Sequence, residues 1–231
     1  MYLDAATHRS VINLLNMKIF LDTADYEAIA ERYTTGLVDG ITTNPTLVRK
    51  SGVDYVEFIK TLATNFAFES ISAEVDGDTA NEMIANATKY RDIGENVTIK
   101  LPLTVEGLKA CKELTAQGVE TNVTLCFSAA QAVMAAKAGA TYISPFVGRM
   151  NDNSLSGVEL VRAISGLYCA HGVRTKILAA SLRDVHHVSR CFLYGASVCT
   201  LPPAVFDKMY NHVLTDSGLA IFEKDFKEIN G

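Results

Sequence analysis

Eight short runs of strand-forming residues, each followed by a longer connecting stretch, organise almost the whole chain. The strand candidates are residues 18–22 (KIFLD), 39–43 (DGITT), 70–75, 97–101 (VTIKL), 119–125 (VETNVTL), 141–146 (TYISPF), 175–181 (TKILAAS) and 197–201 (SVCTL). Each is too short for a helix, and most are rich in Val, Ile, Thr or Leu. Helix starts are marked by side chains able to accept from unpaired backbone N–H groups: Asp25 or Thr23 for 25–33, Asp78 and Thr79 for 79–91, Thr104 for 104–118 and Ser128 for 128–140. Helical segments 154–172 and 183–195 both end in glycine, and Gly118 and Gly139 close two others. Strand–helix alternation repeated eight times with short connections predicts an α/β fold, the (β/α)8 TIM barrel. An open doubly wound sheet is the alternative, but no G-x-G-x-x-G follows the first strand and no G-x-x-x-x-G-K-[ST] occurs.

The 231 residues, 48% of them hydrophobic, suffice for one core, and barrels commonly fill this length as a single domain. Residues 1–16 carry Asp4, His8 and Arg9 and lack a clean apolar stretch, which makes a poor signal peptide. Strand-like sequence begins directly after Met17. The expectation is an N-terminal extension without catalytic role at 1–16 and one barrel domain at 17–231. An extra C-terminal helix is expected at 216–230, where Leu219, Phe222, Phe226 and Ile229 share a face. A barrel closed by eight helices need not bury a ninth, so that stripe is expected to pack on a neighbouring subunit of a homo-oligomer.

Charge and cysteine usage narrow the function classes. A net charge of −5 with scattered lysines and arginines gives nucleic-acid binding little electrostatic support. No apolar run approaches the ~20 residues needed to span a bilayer, so no membrane partner is expected. Five cysteines without a CxxC pair suggest reduced thiols in a cytoplasmic protein, most of them small core residues. No convincing ligand cluster for a metal appears, and no cofactor is expected.

In a parallel barrel the C-terminal strand ends form the functional face. Those ends deliver Asp22, Asn44, Glu74, Lys100, Asn122 with Thr124, Ser144 with Phe146 and Arg149, and Ser181 with Arg183. Singly, each has an ordinary explanation. Asp22 or Asn44 could cap a helix, Glu74 and Asp76 could be solvated loop charges, Thr124 could satisfy backbone groups, and Arg149 and Arg183 could be surface ion-pair partners. His186 and His187 lie within a helix and read as a solvated face or a structural contact. The convergence of so many polar groups on one rim is harder to dismiss.

Lys100 is the exception, because it sits between Ile99 and Leu101 in a strand expected to be buried. A buried unpaired ammonium costs several kcal/mol. Either it pairs with Asp22 or Glu74, or desolvation lowers its pKa and makes a nucleophilic amine available. Such an amine converts a ketone to an imine, an electron sink that permits cleavage of the bond between the α and β carbons. Asp22 and Glu74 are the carboxylates available for proton transfer, and Thr124 could hold a relay water. Arg149, Arg183 and the Ser181 hydroxyl would suit a phosphate dianion.

Seven motifs in order, 19-IFLDTAD-25, 40-GITTNPT-46, 98-TIKLPLT-104, 106-EGLKA-110, 121-TNVTLCFS-128, 143-ISPFVGR-149 and 179-AASLR-183, carry a family resemblance. From Met17 to about Phe226 the chain resembles the transaldolases, in particular the small subfamily that includes fructose-6-phosphate aldolase. The resemblance implies a class I aldolase barrel with Lys100 as Schiff-base lysine and Asp22 as acid/base. It implies Glu74 and Thr124 as holders of a catalytic water. Asn44 and Asn122 would contact substrate hydroxyls, Ser144 and Phe146 would line the pocket, and Arg149, Ser181 and Arg183 would bind phosphate.

Glu74 and Phe146 resemble the transaldolase branch, since the aldolase branch has glutamine and tyrosine there; Asn122 agrees. The implied reaction moves dihydroxyacetone from sedoheptulose 7-phosphate to glyceraldehyde 3-phosphate, giving erythrose 4-phosphate and fructose 6-phosphate, in the pentose phosphate pathway. By the same resemblance the expected assembly is a decamer of two pentamers, with the C-terminal helix docked on a neighbour. The rival readings are an acceptor-independent fructose-6-phosphate aldolase and a phosphosugar-binding barrel without chemistry.

Overall fold

In the computed structural model, which describes residues 17–230, eight parallel strands close into a barrel in chain order. They are β1 (Lys18–Asp22), β2 (Gly40–Thr42), β3 (Ser70–Glu74), β4 (Val97–Pro102), β5 (Thr121–Cys126), β6 (Tyr142–Pro145), β7 (Lys176–Ala179) and β8 (Val198–Leu201). β8 pairs back onto β1, so the sheet has no open edge. The extension expected at 1–16 lies outside the described residues.

Residue parity decides which way each strand side chain points. Odd positions, among them Leu21, Ile41, Ile71, Ile99, Leu101, Val123, Ile143, Ile177 and Leu201, join the core between sheet and helices. Even positions face the lumen, where Phe20, Tyr142, Leu178, Ala180 and Val198 form a separate apolar plug. Gly40 is required beside that plug, because a Cβ there would lie 2.7 Å from the Phe20 ring. The rest of the lumen departs from an all-apolar packing. Ser70 bonds Thr98 at 2.7 Å and Thr42 bonds Thr200 at 2.6 Å, so these buried hydroxyls satisfy one another.

The helices are α1 (Tyr26–Tyr33), α2 (Pro45–Ser51), α3 (Tyr55–Asn65), α4 (Ala80–Arg91), α5 (Val105–Ala116), α6 (Ala129–Lys137), α7 (Val147–Asp152), α8 (Gly157–Ala170), α9 (Val185–Leu193), α10 (Pro203–Lys208) and α11 (Val213–Asn230). Asp25, Thr79, Thr104 and Ser128 cap their helices as expected, and Thr79 forms a full capping box with Glu82. Three starts shift. α8 begins at Gly157 under a Ser156 cap, since Ser154 takes φ +59°, α9 begins at Val185 under Asp184, and α11, expected from 216, begins at Val213. The sequence reading did not delimit α2, α3, α7 or α10. α2, α7 and α10 are too short for a periodic pattern to show. α3 does carry Phe58, Ile59 and Leu62 buried at helical spacing, a signal that was there to be read.

No residue of α11 is buried, and Leu219, Phe222, Phe226 and Ile229 are each more than half exposed. Cys111, Cys126, Cys191 and Cys199 are buried and unbridged, and Cys169 is exposed. Burial pushes the Cys126 thiol up to about 11, which leaves it protonated near neutrality. Among the described residues no helix is long and apolar enough to cross a membrane.

Candidate active site

Strand register assembles the centre of the site. Lys100 on β4 stands opposite Glu74 on β3 and Asn122 on β5, and Pro102 stands opposite Thr124. All four named polar positions are even-numbered, so parity aims them into the same lumen. Asp22 reaches the same layer from β1, where it pairs with Thr42. These residues, with Asn44, Ser144, Phe146, Arg149 and Ser181, line a pocket of about 480 Å³ at the C-terminal strand ends.

The lysine's partner is Glu74. Lys100 Nζ lies 2.9 Å from Glu74 Oε2 and donates to the Thr43 carbonyl at 3.0 Å. Only 6% of Lys100 is exposed, so the contacts compensate a group that water barely reaches. Asp22 makes no direct contact of this kind; its carboxylate accepts from Thr42 Oγ1 at 2.9 Å. Burial raises the Asp22 pKa, while Lys100 and the Thr42 hydrogen bond oppose that shift and Glu74 adds to it. The net effect is a rise, which makes this buried carboxyl readier to hold a proton than an ordinary aspartate.

The neighbouring polar groups divide into fixed and open ones. Ser144 Oγ donates to Asn122 Oδ1 at 2.7 Å, and Asn122 Nδ2 donates to Ser72 Oγ at 3.2 Å, which locks the amide orientation. Thr124 Oγ1 is buried and has no hydrogen-bond partner among the described residues, so its capacity is open to a pocket occupant. The next residue, Leu125, holds φ +63° where the β5–β6 register shifts between Val123 and Cys126. A non-glycine residue there is held against an intrinsic preference of about 1–3 kcal/mol. Asn44 does cap α2, accepting from Leu47 N–H at 3.1 Å, yet it also lines the pocket. Capping uses its carbonyl oxygen; the amide NH₂ is the half suited to a sugar hydroxyl.

On the far side of the pocket, the Arg149 guanidinium lies 5.0 Å over the Phe146 ring, which packs edge-on against Phe127. Ser181 holds φ +58°, and a Cβ on Gly148 would come within 1.9 Å of its carbonyl oxygen. That close approach fixes α7, and with it Arg149, beside Ser181. Arg183 stands apart: it is exposed, bonds Asp152 Oδ1 at 2.5 Å and does not line the pocket. His187 makes a structural contact, touching Asp184 Oδ2 at 2.5 Å and Asn151 Nδ2 at 3.2 Å.

Sequence reasoning missed Thr42, Thr43, Ser72 and Tyr55, which surround the named groups. Thr42 and Ser72 are even-numbered and could have been found by parity; Thr43, odd-numbered, and Tyr55, on a helix outside the barrel, gave no signal. A larger cleft of about 740 Å³ lies between α6 and α8 near the opposite strand ends, lined by Val133, Leu167 and Tyr168 among others. No comparable set of facing acid, base and amine groups lines it, so size alone does not identify the site. Among the described residues no three His, Cys, Asp or Glu side chains are grouped to hold a metal ion.

Residues 19–230 match the family described as Transaldolase/Fructose-6-phosphate aldolase. A probable transaldolase of Dinoroseobacter shibae is 52% identical over 212 residues, covering 92% of this chain and 97% of that relative. Probable transaldolases of Hyphomonas neptunium and Caulobacter vibrioides are each 50% identical, over 212 and 210 residues, covering 92% and 91% of this chain and 98% and 96% of theirs. The family match spans the pocket and all of the barrel strands but the first residue of β1. The chain belongs to the transaldolase/fructose-6-phosphate aldolase family.

Proposed function

We propose that the chain is a transaldolase that carries a dihydroxyacetone unit between sugar phosphates on Lys100. The observation that supports this reading best is the buried Lys100 amine at the pocket floor, held between Glu74 Oε2 and the Thr43 carbonyl. The amine attacks the ketose carbonyl to give a carbinolamine, and loss of water gives the iminium ion. Glu74 and Thr124 face the place where that water leaves and later returns. Asp22 takes the proton of the hydroxyl β to the iminium carbon, the carbon–carbon bond breaks, and an aldose phosphate departs. The remaining enamine attacks a second aldehyde, Asp22 returns the proton to the new hydroxyl, and hydrolysis releases the new ketose.

Sedoheptulose 7-phosphate is the donor and glyceraldehyde 3-phosphate the acceptor, with erythrose 4-phosphate and fructose 6-phosphate as products, in a cytoplasmic pentose phosphate pathway. Arg149 and Ser181 bind the phosphate, and Arg183 joins them when it leaves Asp152. Phe146 brings no hydroxyl to the enamine, which favours waiting for an aldehyde over release of dihydroxyacetone. Assembly follows the same reading: the exposed apolar face of α11 seats on a second copy of the chain, within a decamer.

The test is fructose 6-phosphate with and without erythrose 4-phosphate, assayed for glyceraldehyde 3-phosphate and free dihydroxyacetone, together with borohydride trapping. Sustained glyceraldehyde 3-phosphate formation only with acceptor, and a reduced adduct at Lys100, support the proposal. Both products without acceptor mark an aldolase; no adduct marks a barrel that binds sugars without chemistry.

A further inference from the structure

The β2–β3 ladder opens beside the lysine. N–H groups along a parallel strand face its two neighbours alternately. Val75 N–H donates to the Lys100 carbonyl on β4 at 3.2 Å, so Glu74 N–H faces β2. The Thr42 carbonyl accepts from Thr23 N–H at 3.2 Å on the β1 side, so the Thr43 carbonyl faces β3. Continuing the register that sets Thr42 opposite Ser72, these two groups would bond each other. Instead each has a different partner. The Thr43 carbonyl accepts from Lys100 Nζ at 3.0 Å, and Glu74 N–H donates to Tyr55 Oη at 2.8 Å.

Proton accounting then orders the chain of bonds. Thr43 Oγ1 donates to the Ser72 carbonyl at 3.0 Å, which uses its only proton. The 2.5 Å contact between Thr43 Oγ1 and Tyr55 Oη is therefore made by the tyrosine's proton. Tyr55 gives that proton to Thr43 and accepts from Glu74. Burial raises its pKa, which keeps the phenol protonated and able to donate. Its ring is braced by Tyr90, centroids 5.3 Å apart, at the start of α3 under the Asp54 cap. Neither Tyr55 nor Thr43 lines the pocket.

We propose that Tyr55 is a positioning residue for the reactive amine: by accepting the Glu74 N–H it leaves the Thr43 carbonyl available to Lys100 and fixes the amine's direction of attack. This rests on the reading of Lys100 as the Schiff-base nucleophile. Without the phenol, Glu74 N–H competes for the Thr43 carbonyl and the amine loses its second anchor.

The experiment compares wild type, Tyr55→Phe, Thr43→Val, Thr43→Ser and the double variant Tyr55→Phe/Thr43→Val. The measurements are transfer kinetics and the rate of borohydride trapping with fructose 6-phosphate. Tyr55→Phe is expected to lower kcat and the trapping rate about tenfold, the scale of one buried hydrogen bond, with KM unchanged. Thr43→Val should do the same, the double variant no worse, and Thr43→Ser, which keeps the hydroxyl, should recover most of the loss. A folded Tyr55→Phe enzyme with wild-type kcat and trapping rate overturns the proposal. So does a loss confined to KM, or a double variant whose defect is the product of the two single ones. If Tyr55→Phe does not fold, Thr43→Val and Thr43→Ser decide: a full loss in Val recovered in Ser supports the proposal, and wild-type kcat in Val overturns it. Absence of any wild-type adduct at Lys100 overturns the functional reading and this proposal together, whereas a wild-type adduct with an unaffected Tyr55→Phe overturns this proposal alone.

Discussion

Glu74 Oε2 and Lys100 Nζ stand 2.9 Å apart on directly paired residues of β3 and β4, with the Thr43 carbonyl as the lysine's second contact. Lys100 is nearly fully buried, while about a fifth of the Glu74 side chain is open to the pocket. The pair is thus neither a surface salt bridge nor a sealed one. A molecule entering the pocket can reach this pair, which it could not do if the pair were fully enclosed.

Lys100→Met should abolish transfer and borohydride trapping while the barrel still folds. It also leaves Glu74 without its cation, a loss of about 3 kcal/mol on the scale of broken buried pairs. Adding Glu74→Gln to Lys100→Met should recover part of that stability and none of the activity. Urea unfolding and a trapping assay on both variants check the two halves; appreciable turnover in Lys100→Met would remove the lysine from the mechanism.

Asp22→Asn should exchange activity for stability in a pH-dependent way. Burial raises the Asp22 pKa in the folded protein, so folding favours its protonated form. The stability from this group is fully present below the unfolded value of about 3.9 and is lost as pH rises through the folded value. Asparagine is neutral throughout. The variant should therefore gain stability over wild type near pH 8 and lose that gain towards pH 4, with kcat down by about 10²–10⁴-fold. Urea unfolding across that range measures the difference, and a gain that is flat or grows on acidification contradicts it.

Phe146→Tyr should raise the release of free dihydroxyacetone relative to transfer. A phenol placed at this ring position puts a proton donor beside the enamine, which phenylalanine cannot do. The ratio of free dihydroxyacetone to transferred product measures the effect, and an unchanged ratio places the control of release elsewhere in the pocket.

The two arginines should differ in what they do to phosphate binding. Arg149 lines the pocket and is braced on Phe146, whereas Arg183 is held outside by Asp152. Arg149→Ala should raise KM for fructose 6-phosphate at least about tenfold, the scale of a charge-assisted hydrogen bond, and leave unphosphorylated acceptors unaffected. Asp152→Asn frees Arg183 and should lower that KM. Equal effects on phosphorylated and unphosphorylated substrates would argue that these residues shape the pocket rather than bind phosphate.

Phe222→Asp should weaken assembly. The substitution puts a charge into the apolar face of α11 formed by Leu219, Phe222 and Phe226. Sedimentation velocity should show smaller species than wild type; an unchanged distribution would mean that α11 does not mediate contact between copies.

The barrel was legible because its signals are local. Short β-rich runs alternate with capped helices, and Asp25, Thr79, Thr104 and Ser128 each cap through their own side chain. The rim residues followed from the fold, since the C-terminal strand ends of a parallel barrel face one side. Lys100 was legible as an ionisable residue in a strand that is buried along nearly its whole length. Ile99 and Leu101 belong to the sheet–helix core on the opposite face, so the lysine interrupts no apolar row. It continues Thr98 into the polar layer of the lumen, where Ser70, Thr42 and Asn122 also lie.

What the sequence alone determined was the order of the eight strands, the caps of α1, α4, α5 and α6, and through parity which side chains enter the lumen. All of these depend on residues adjacent in the chain. The tertiary structure decided which lumen groups meet: Glu74 rather than Asp22 at Lys100, Asp152 at Arg183, and Tyr55 between Thr43 and Glu74. Those choices depend on strand register, helix placement and side-chain rotamers, over distances of a few ångströms between residues far apart in the chain. No local pattern encodes them, because they arise only when the closed sheet brings its strand ends together.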